Sequence, residues 1–210
     1  MSDSPLTQAQ VQAEELADWR PMNSALHTRF RTGNFATGLR LVNLIGEAAE
    51  QADHHPDLDL RYGHLNVRLF SHDVFGVTGR DISLARRISE IAADLGVSAE
   101  PSAVSTVELA LDTPDHERIK PFWRAVMGYR DNPRSDDEVR NDDADLPTIW
   151  FQASGAEEPR QRFHVDVRVP PEVAQERIDA AVAAGGRVVD EAPSFVVLAD
   201  AEGNKVCVCT

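Results

Sequence analysis

Cysteine is almost missing from this chain: Cys207 and Cys209 are the only two among 210 residues. That scarcity excludes a small disulfide-stapled secreted scaffold. Two residues apart on a strand, the pair point to one face and are poorly placed to bond each other. Reduced thiols in a cytoplasmic protein are the expectation, because a Cys-x-Cys metal site would need further ligands nearby. Long apolar runs are also lacking, and none approaches the roughly 20 residues that span a bilayer. The start, Met1-Ser2-Asp3-Ser4-Pro5, has no basic stretch followed by an apolar one, so no secretory signal is expected. Positive charge is in deficit, with 21 Lys and Arg against 35 Asp and Glu and a net charge of −14. Such a chain is repelled by phosphate backbones, which argues against nucleic acid as a direct partner. What is present, 42% hydrophobic and 27% charged residues, suits packed cores under a charged surface, in one large domain or two small ones.

The first hundred residues read as an α+β domain with helices on one face of an antiparallel sheet. Thr7 to Leu16 predicts a short helix, and Trp19–Met22 with Leu26–Phe30 predict a hairpin. A longer helix is expected from Asn34, a good N-cap, to Asp53. Phe35, Leu39, Val42 and Ala49 form its apolar stripe, widened by Leu41, Leu44, Ile45 and Ala48. Pro56 stops it and pushes His55 out of helical geometry. Tyr62 to His72 predicts one alternating strand, with Leu65, Val67 and Leu69 on one face and His64, Asn66, Arg68, Phe70 and His72 on the other. Thr78 and Asp81 can form a capping box for a helix running to about Leu95.

Three of the seven histidines lie at the two ends of that strand region, in Asp53-His54-His55-Pro56 and Ser71-His72-Asp73. Imidazole titrates near neutrality, so the cluster suits proton transfer. Taken singly, each residue has an ordinary role: a histidine at a helix C-terminus, a strand-ending histidine, a turn Asp53, a capping Asp81. Zinc is the rival use, but adjacent histidines diverge as ligands and no cysteine is near in sequence.

The run Ala49-Glu50-Gln51-Ala52-Asp53-His54-His55-Pro56, then Tyr62, Val67-Arg68-Leu69-Phe70-Ser71-His72-Asp73, Gly76, Thr78, Asp81 and Leu84-Ala85 resembles the pterin-4a-carbinolamine dehydratases. Trp19, Phe30 and Phe35 fit the same pattern, and the likeness covers about residues 7 to 96. It departs at Leu58, where many members have an aromatic residue, and at Phe75-Gly76-Val77, where many have a Gly-Gly-Leu-type turn. The resemblance implies dehydration of a 4a-hydroxytetrahydropterin to a quinonoid dihydropterin, with pterin as substrate and no metal or redox cofactor required. It implies His54, His55 and His72 as the proton-handling trio, one of His55 and His72 being the acid. Asp53, Ser71 and Asp73 would line the pterin, and Asp81 would orient an imidazole. It also implies a homo-oligomer.

After Gly96–Ser102, read as a linker, the chain repeats itself. Val107–Leu111 and Phe163–Val169 predict strands, each leading into a helix that ends near Gly128 or Gly185, and Glu117-Arg118-Ile119 recurs as Glu176-Arg177-Ile178. Ile119, Phe122, Trp123 and Val126 mark the buried side of the first helix, with Pro121 predicting a kink or later start. Further strands are expected at Thr148–Ala153, Arg187–Val189, Phe195–Leu198 and Lys205–Cys209, with Asp131–Asp145 a solvated acidic loop.

This tandem βαβββ pattern, with Asp112-Thr113-Pro114-Asp115, Phe122-Trp123, Gly128-Tyr129, Phe163-His164-Val165-Asp166 and Asp200-Ala201-Glu202-Gly203-Asn204, resembles the glyoxalase-like vicinal-oxygen-chelate fold. Active members of that fold hold a divalent metal with His and Glu. His164 matches one ligand position. Its first-unit counterpart falls near Val107, with Glu108 expected on the opposite face, and Cys207 stands at the late Glu position. No metal site is therefore expected, His164 being the one candidate.

The resulting layout is a dehydratase-like domain at 1–97, a linker at 98–104 and a glyoxalase-like domain at 105–210. Its expected function is pterin dehydration. The alternatives are a metal-dependent glyoxalase or dioxygenase activity in the second domain, and a pterin-binding interaction protein without turnover.

Overall fold

The structure, a computed structural model, describes residues 4–141, 146–155, 163–199 and 205–210, without the side chains of Phe122, Ala125 and Val126. The Asp200–Asn204 motif and the end of the acidic loop, residues 142–145, lie outside the described residues. Contacts divide the chain into two units, Met1–Val104 and Ser105–Thr210, each with its own sheet. Among the described residues no helix is long and apolar enough to cross a membrane.

In the first unit, α1 (Gln8–Ala13) begins at a capping box in which Thr7 Oγ1 accepts from the Gln10 amide and Gln10 Oε1 accepts from the Thr7 amide. Strands β1 (Arg20–Met22) and β2 (Ala25–Arg31) turn through Asn23 and Ser24, both at positive φ, as a tight hairpin with right-handed strand twist demands. Helix α2 (Phe35–Ala52) starts at Asn34, whose side chain accepts from the Thr37 amide at 2.9 Å. Strands β3 (Asp57–Leu60) and β4 (His64–Leu69), helix α3 (Gly79–Asp94) and strand β5 (Ser98–Ala99) follow. The antiparallel sheet runs β1-β2-β4-β3, with β5 also paired to β2.

Period-two alternation turns Leu26 and Phe30 of β2 and Leu65, Val67 and Leu69 of β4 to one face. There they pack with Leu41 and Ile45 of α2 and Ala85 and Ile88 of α3 in one cluster. Trp19 meets Phe30 edge-on and donates from Nε1 to Ser89 Oγ at 3.1 Å, pinning the hairpin to α3. The opposite face carries charge, including the Arg68–Asp57 and Arg61–Asp59 pairs. On it, His27 Nε2 is buried with no hydrogen-bond partner. Burial, and then the Arg68 guanidinium, push the His27 pKa from 6.5 down to about 4.

Three expectations change here. Phe35 and Leu39, placed in the buried stripe of α2, are 49% and 47% exposed, and the buried positions are Gly38, Leu41, Ile45, Ala48 and Ala49. The wide apolar sector of this helix allowed either side, and the sheet selected one. The single strand expected over 62–72 is instead the second half of a hairpin. Asp57–Leu60 pairs with it, Tyr62 lies in the connection, and Phe70, expected with the polar residues, is buried. The segment read as a linker is partly built into the sheet, since Ser98 and Ala99 pair with Arg31 and Phe30, and a 3-10 turn follows at Pro101–Ala103.

The second unit contains two βαβββ halves. The first is β6 (Thr106–Thr113), α4 (His116–Met127), β7 (Arg130–Asp131), β8 (Glu138–Arg140) and β9 (Thr148–Ala153). The second is β10 (Phe163–Arg168), α5 (Pro171–Ala183), β11 (Arg187–Ala192), β12 (Phe195–Ala199) and β13 (Lys205–Cys209). In each half the first and last strands are parallel neighbours, and β6 against β10 joins the halves into one eight-stranded sheet. Leu111, Tyr129, Val139, Ile149 and Phe151 gather with Ile119 and Trp123 of α4, while Val169, Ala174, Ile178, Leu198 and Val208 form the core under α5. The loop expected over 131–145 contains β8, whose Val139 is fully buried, so one apolar residue in a polar run was enough to recruit it. Helix α4 starts before Pro121 and runs through it.

Ile45→Ala should lower the stability of the first unit by about 2–5 kcal/mol, the usual cost of emptying a buried aliphatic site. Leu39→Ala should cost less than about 1 kcal/mol, as expected for a half-exposed position. Urea unfolding of the two variants compares them, and equal losses would contradict the burial described for α2.

Candidate active site

The first cluster is built by two turns. Helix α2 ends where Asp53 adopts left-handed geometry (φ 47°, ψ 41°) and its amide bonds back to Ala49 and Glu50 carbonyls. The reversal throws His54 inward and His55 outward: His54 is 7% exposed, while the His55 side chain is 57% exposed. The second turn follows β4, where Ser71 and Gly76 pair through both backbone groups. Between them, Phe75 takes a positive φ of 52°. Ser71 is buried, and His72 and Asp73 are exposed.

Asp81 joins the turns. Its carboxylate has no solvent exposure. Oδ1 lies 2.7 Å from His54 Nε2. Oδ2 accepts from Ser71 Oγ at 2.6 Å, from the Thr78 amide at 2.7 Å and from Thr78 Oγ1 at 3.1 Å. Burial raises the carboxyl pKa, but the hydrogen bonds from His54, Ser71 and Thr78 more than offset it, and the group ends below its ordinary 3.8. An ionised carboxylate only accepts, so His54 carries its proton on Nε2 and its tautomer is set by Asp81. Asp81 is thus both the capping-box acid of α3 and the group that orients an imidazole.

The other members face outward. His55 Nε2 lies 3.1 Å from Glu50 Oε1, one turn back on α2. His72 stands edge-on to Phe70 at 5.1 Å. Arg80 donates to Asp73 at 2.6 Å and holds that carboxyl below its usual range, with a smaller contribution from His54. The structure therefore brings His54, Ser71, Thr78 and Asp81 into direct contact and sets Asp73 within electrostatic reach of His54. Asp53 is exposed and serves as the helix cap. The Ser71 hydroxyl is committed to Asp81 and Thr78, and its amide and carbonyl to the turn itself, so Ser71 holds the turn in place. Glu50 and Arg80, the partners of His55 and Asp73, were not singled out from the sequence. The i, i+5 spacing of Glu50 across a helix end and the i, i+7 spacing of Arg80 across a turn are not standard side-chain pairings.

A second cluster lies on the sheet of the other unit. His164 and Asp166 share one face of β10, and Asp166 is paired in register with Cys207 of β13. His164 Nε2 is 3.4 Å from Asp166 Oδ1. Trp150 of β9 donates from Nε1 to Asp166 Oδ2 at 3.0 Å and stands edge-on to His164. Cys207 and Cys209 are free and buried, as expected of unbonded thiols. Burial, and then the Asp166 charge, push the Cys207 thiol up to about 12. Glu108 was expected on the opposite face, but its register against Asp166 places it on the same one, where Arg168 Nε donates to it at 2.8 Å. Val107, paired with Val167, faces away.

Two groups should shape the acid response: His27, through its buried Nε2, and the fully buried Asp81. His27, held neutral by the fold, contributes stability that is full above pH 6.5 and is lost as pH falls toward 4, at most about 3 kcal/mol. Asp81, whose folded pKa is depressed, contributes stability that is present above 3.8 and is lost as pH falls through the lower folded value. Urea midpoints measured across this range should therefore fall in two steps. His27→Phe should flatten the upper step, and Asp81→Asn should flatten the lower one at the cost of stability near neutrality.

Known proteins match each unit separately. Residues 4–91 match the family described as Pterin 4 alpha carbinolamine dehydratase, and residues 108–209 match the Glyoxalase-like domain. A provisionally named pterin-4-alpha-carbinolamine dehydratase of Thermomicrobium roseum is 38% identical over 79 residues, which make up 38% of this chain and 85% of that protein. Its counterpart in Chloroflexus aurantiacus is 39% identical over 89 residues, 41% of this chain and 95% of that one. A solved transcriptional coactivator/pterin dehydratase from Brucella melitensis aligns with 42% of this chain and 99% of its own at 29% identity and a TM-score of 0.41. A glyoxalase/bleomycin resistance protein/dioxygenase superfamily member from Vibrio splendidus aligns with 50% of this chain and 98% of its own at 14% identity and a TM-score of 0.34. Through its first unit the chain belongs to the pterin-4a-carbinolamine dehydratase family, and that unit is followed by a glyoxalase-like domain.

Proposed function

We propose that the first unit dehydrates a 4a-hydroxytetrahydropterin to the quinonoid dihydropterin by histidine acid–base catalysis, with no metal or redox cofactor, in the recycling of a pterin cofactor. The observation that carries this reading is the division of labour among the histidines: His54 is buried on the Asp81 carboxylate, and His55 and His72 stand exposed on the flanking turns. Loss of water requires one proton delivered to the 4a-hydroxyl and one removed from N5. Two exposed imidazoles can exchange protons with a ligand and with solvent, and each takes one transfer. His54, fixed in one tautomer, supplies the rigid edge against which the ring is placed. Asp53 and Asp73, at the rims of the two turns, face the polar substituents of the pterin, with Ser71 lining the floor between them.

The reading includes a homo-oligomer. Phe35 and Leu39 lie one turn apart on the exposed side of α2, and an exposed apolar pair of this kind is the sort of surface that a second copy covers. Phe35→Glu should then shift the mass measured by light scattering to that of a smaller species. An unchanged mass would remove α2 from the contact.

Purified protein should accelerate decay of the carbinolamine absorbance produced by a pterin-dependent hydroxylase. His55→Ala and His72→Ala should each slow turnover by about 10²–10⁴-fold, the usual share of a general acid or base. His54→Ala should also slow it. Asp81→Asn should lower kcat in the same direction, through the tautomer of His54. Unchanged rates in all three histidine variants would overturn the assignment.

A further inference from the structure

The glyoxalase-like domain does not keep the donors that its fold resemblance implies. Val107 faces away from His164, Glu108 is held by Arg168, and a thiol stands where a late carboxylate is expected. Yet one donor of each of three kinds converges on a single spot. A His164 ring nitrogen, an Asp166 carboxylate oxygen and Cys207 Sγ all lie within 4.8 Å of one another. Asp166 is 6% exposed; its buried Oδ1 makes no well-formed hydrogen bond, and the carboxylate has the His164 ring at 3.4 Å and the Cys207 thiol beside it. Trp150 donates to Oδ2, which leaves Oδ1 facing the His164 ring. A buried carboxylate oxygen so weakly paired is costly unless something cationic meets it.

We propose that His164, Asp166 and Cys207 form a three-ligand zinc site, which nothing in the dehydratase reading requires. Tetrahedral zinc with bonds of about 2.0–2.3 Å sets neighbouring donors about 3.3–3.8 Å apart. The 3.4 Å between His164 Nε2 and Asp166 Oδ1 already meets that spacing. Drawing the widest pair together takes about 1 Å by the same comparison, within the reach of a side-chain rotation. The donor set decides the metal: a thiolate beside an imidazole favours zinc and disfavours magnesium, manganese and calcium, which prefer oxygen. Three protein ligands leave the fourth position to water or a ligand, as in zinc sites that do chemistry rather than hold structure. The His164 side chain, 17% exposed, marks the open side. Trp150 Nε1–H on the other carboxylate oxygen is the outer hydrogen bond that keeps a ligating carboxylate in place.

Cobalt substitution tests this directly, because a cobalt–thiolate bond gives a charge-transfer band in the near ultraviolet. The full chain, with thiols reduced, should show that band at one equivalent of Co²⁺, lose it to one equivalent of Zn²⁺, and keep it in excess Mg²⁺ or Mn²⁺. Cys207→Ser should abolish the band while far-ultraviolet circular dichroism stays unchanged, and Cys209→Ser should retain it. His164→Ala and Asp166→Asn should weaken zinc binding by at least about 10–100-fold, a range that even outer-shell partners reach. Absence of the band in the unsubstituted chain, or its persistence in Cys207→Ser, would overturn the site and leave the cluster as a hydrogen-bonded strand pair.

Discussion

Asp81 is buried completely and still ionised, and the first domain is arranged around keeping it so. A carboxylate without solvent must be met by donors, and four come from three elements: the imidazole at the end of α2, the hydroxyl after β4, and the amide and hydroxyl that cap α3. Removing any one donor leaves charge unpaired, so the ends of α2, β4 and α3 are held in register by one group. The hydrophobic cluster brings helices and sheet together, but it is indifferent to a small rotation of one turn against another. The hydrogen bonds to Asp81 are directional and are not.

The function proposed for the first domain depends on that register. His54 and His55 are adjacent in the chain and opposite in environment, because the left-handed Asp53 and the proline after them turn one ring inward and the next outward. His72 is positioned by a turn whose other end, Ser71, is tied to the same carboxylate. One buried anion therefore ties together the two turns that carry the exposed rings without touching either. Such an arrangement leaves the two exposed rings open to solvent while their frame stays rigid.

The second domain applies the opposite chemistry with the same economy. Its sheet pairs β10 with β13 in parallel, which sets Asp166 beside Cys207, and with β6 in antiparallel, which sets Glu108 on the same face. Glu108 is neutralised by Arg168, whereas Asp166 faces the His164 ring and the Cys207 thiol. Two carboxylates directly opposite each other on adjacent strands thus differ because the Arg168 guanidinium hydrogen-bonds to only one of them.

The patterns in the sequence that determined structure were local and periodic. Thr7, Asn34 and Thr78 mark helix starts because a capping side chain needs only its own next turn. The alternation of Leu65, Val67 and Leu69 and the repeat of βαβββ order were readable for the same reason: each depends on residues within one or two elements. The histidine turns could be named, and the family pattern gave them a chemistry. Their burial could not be read, since His54 and His55 look alike until α3 supplies Asp81 across 27 positions of chain. Phe35 and Leu39 kept the helical period and still faced outward, because amphipathicity shows that a face will be buried, and only packing against the sheet decides which. The face of Glu108 and the pairing of Asp166 with Cys207 depend on strand register, and a shift of one residue reverses every side chain. Register is settled by long-range contacts, so the donor cluster of the second domain came into view only with the tertiary structure.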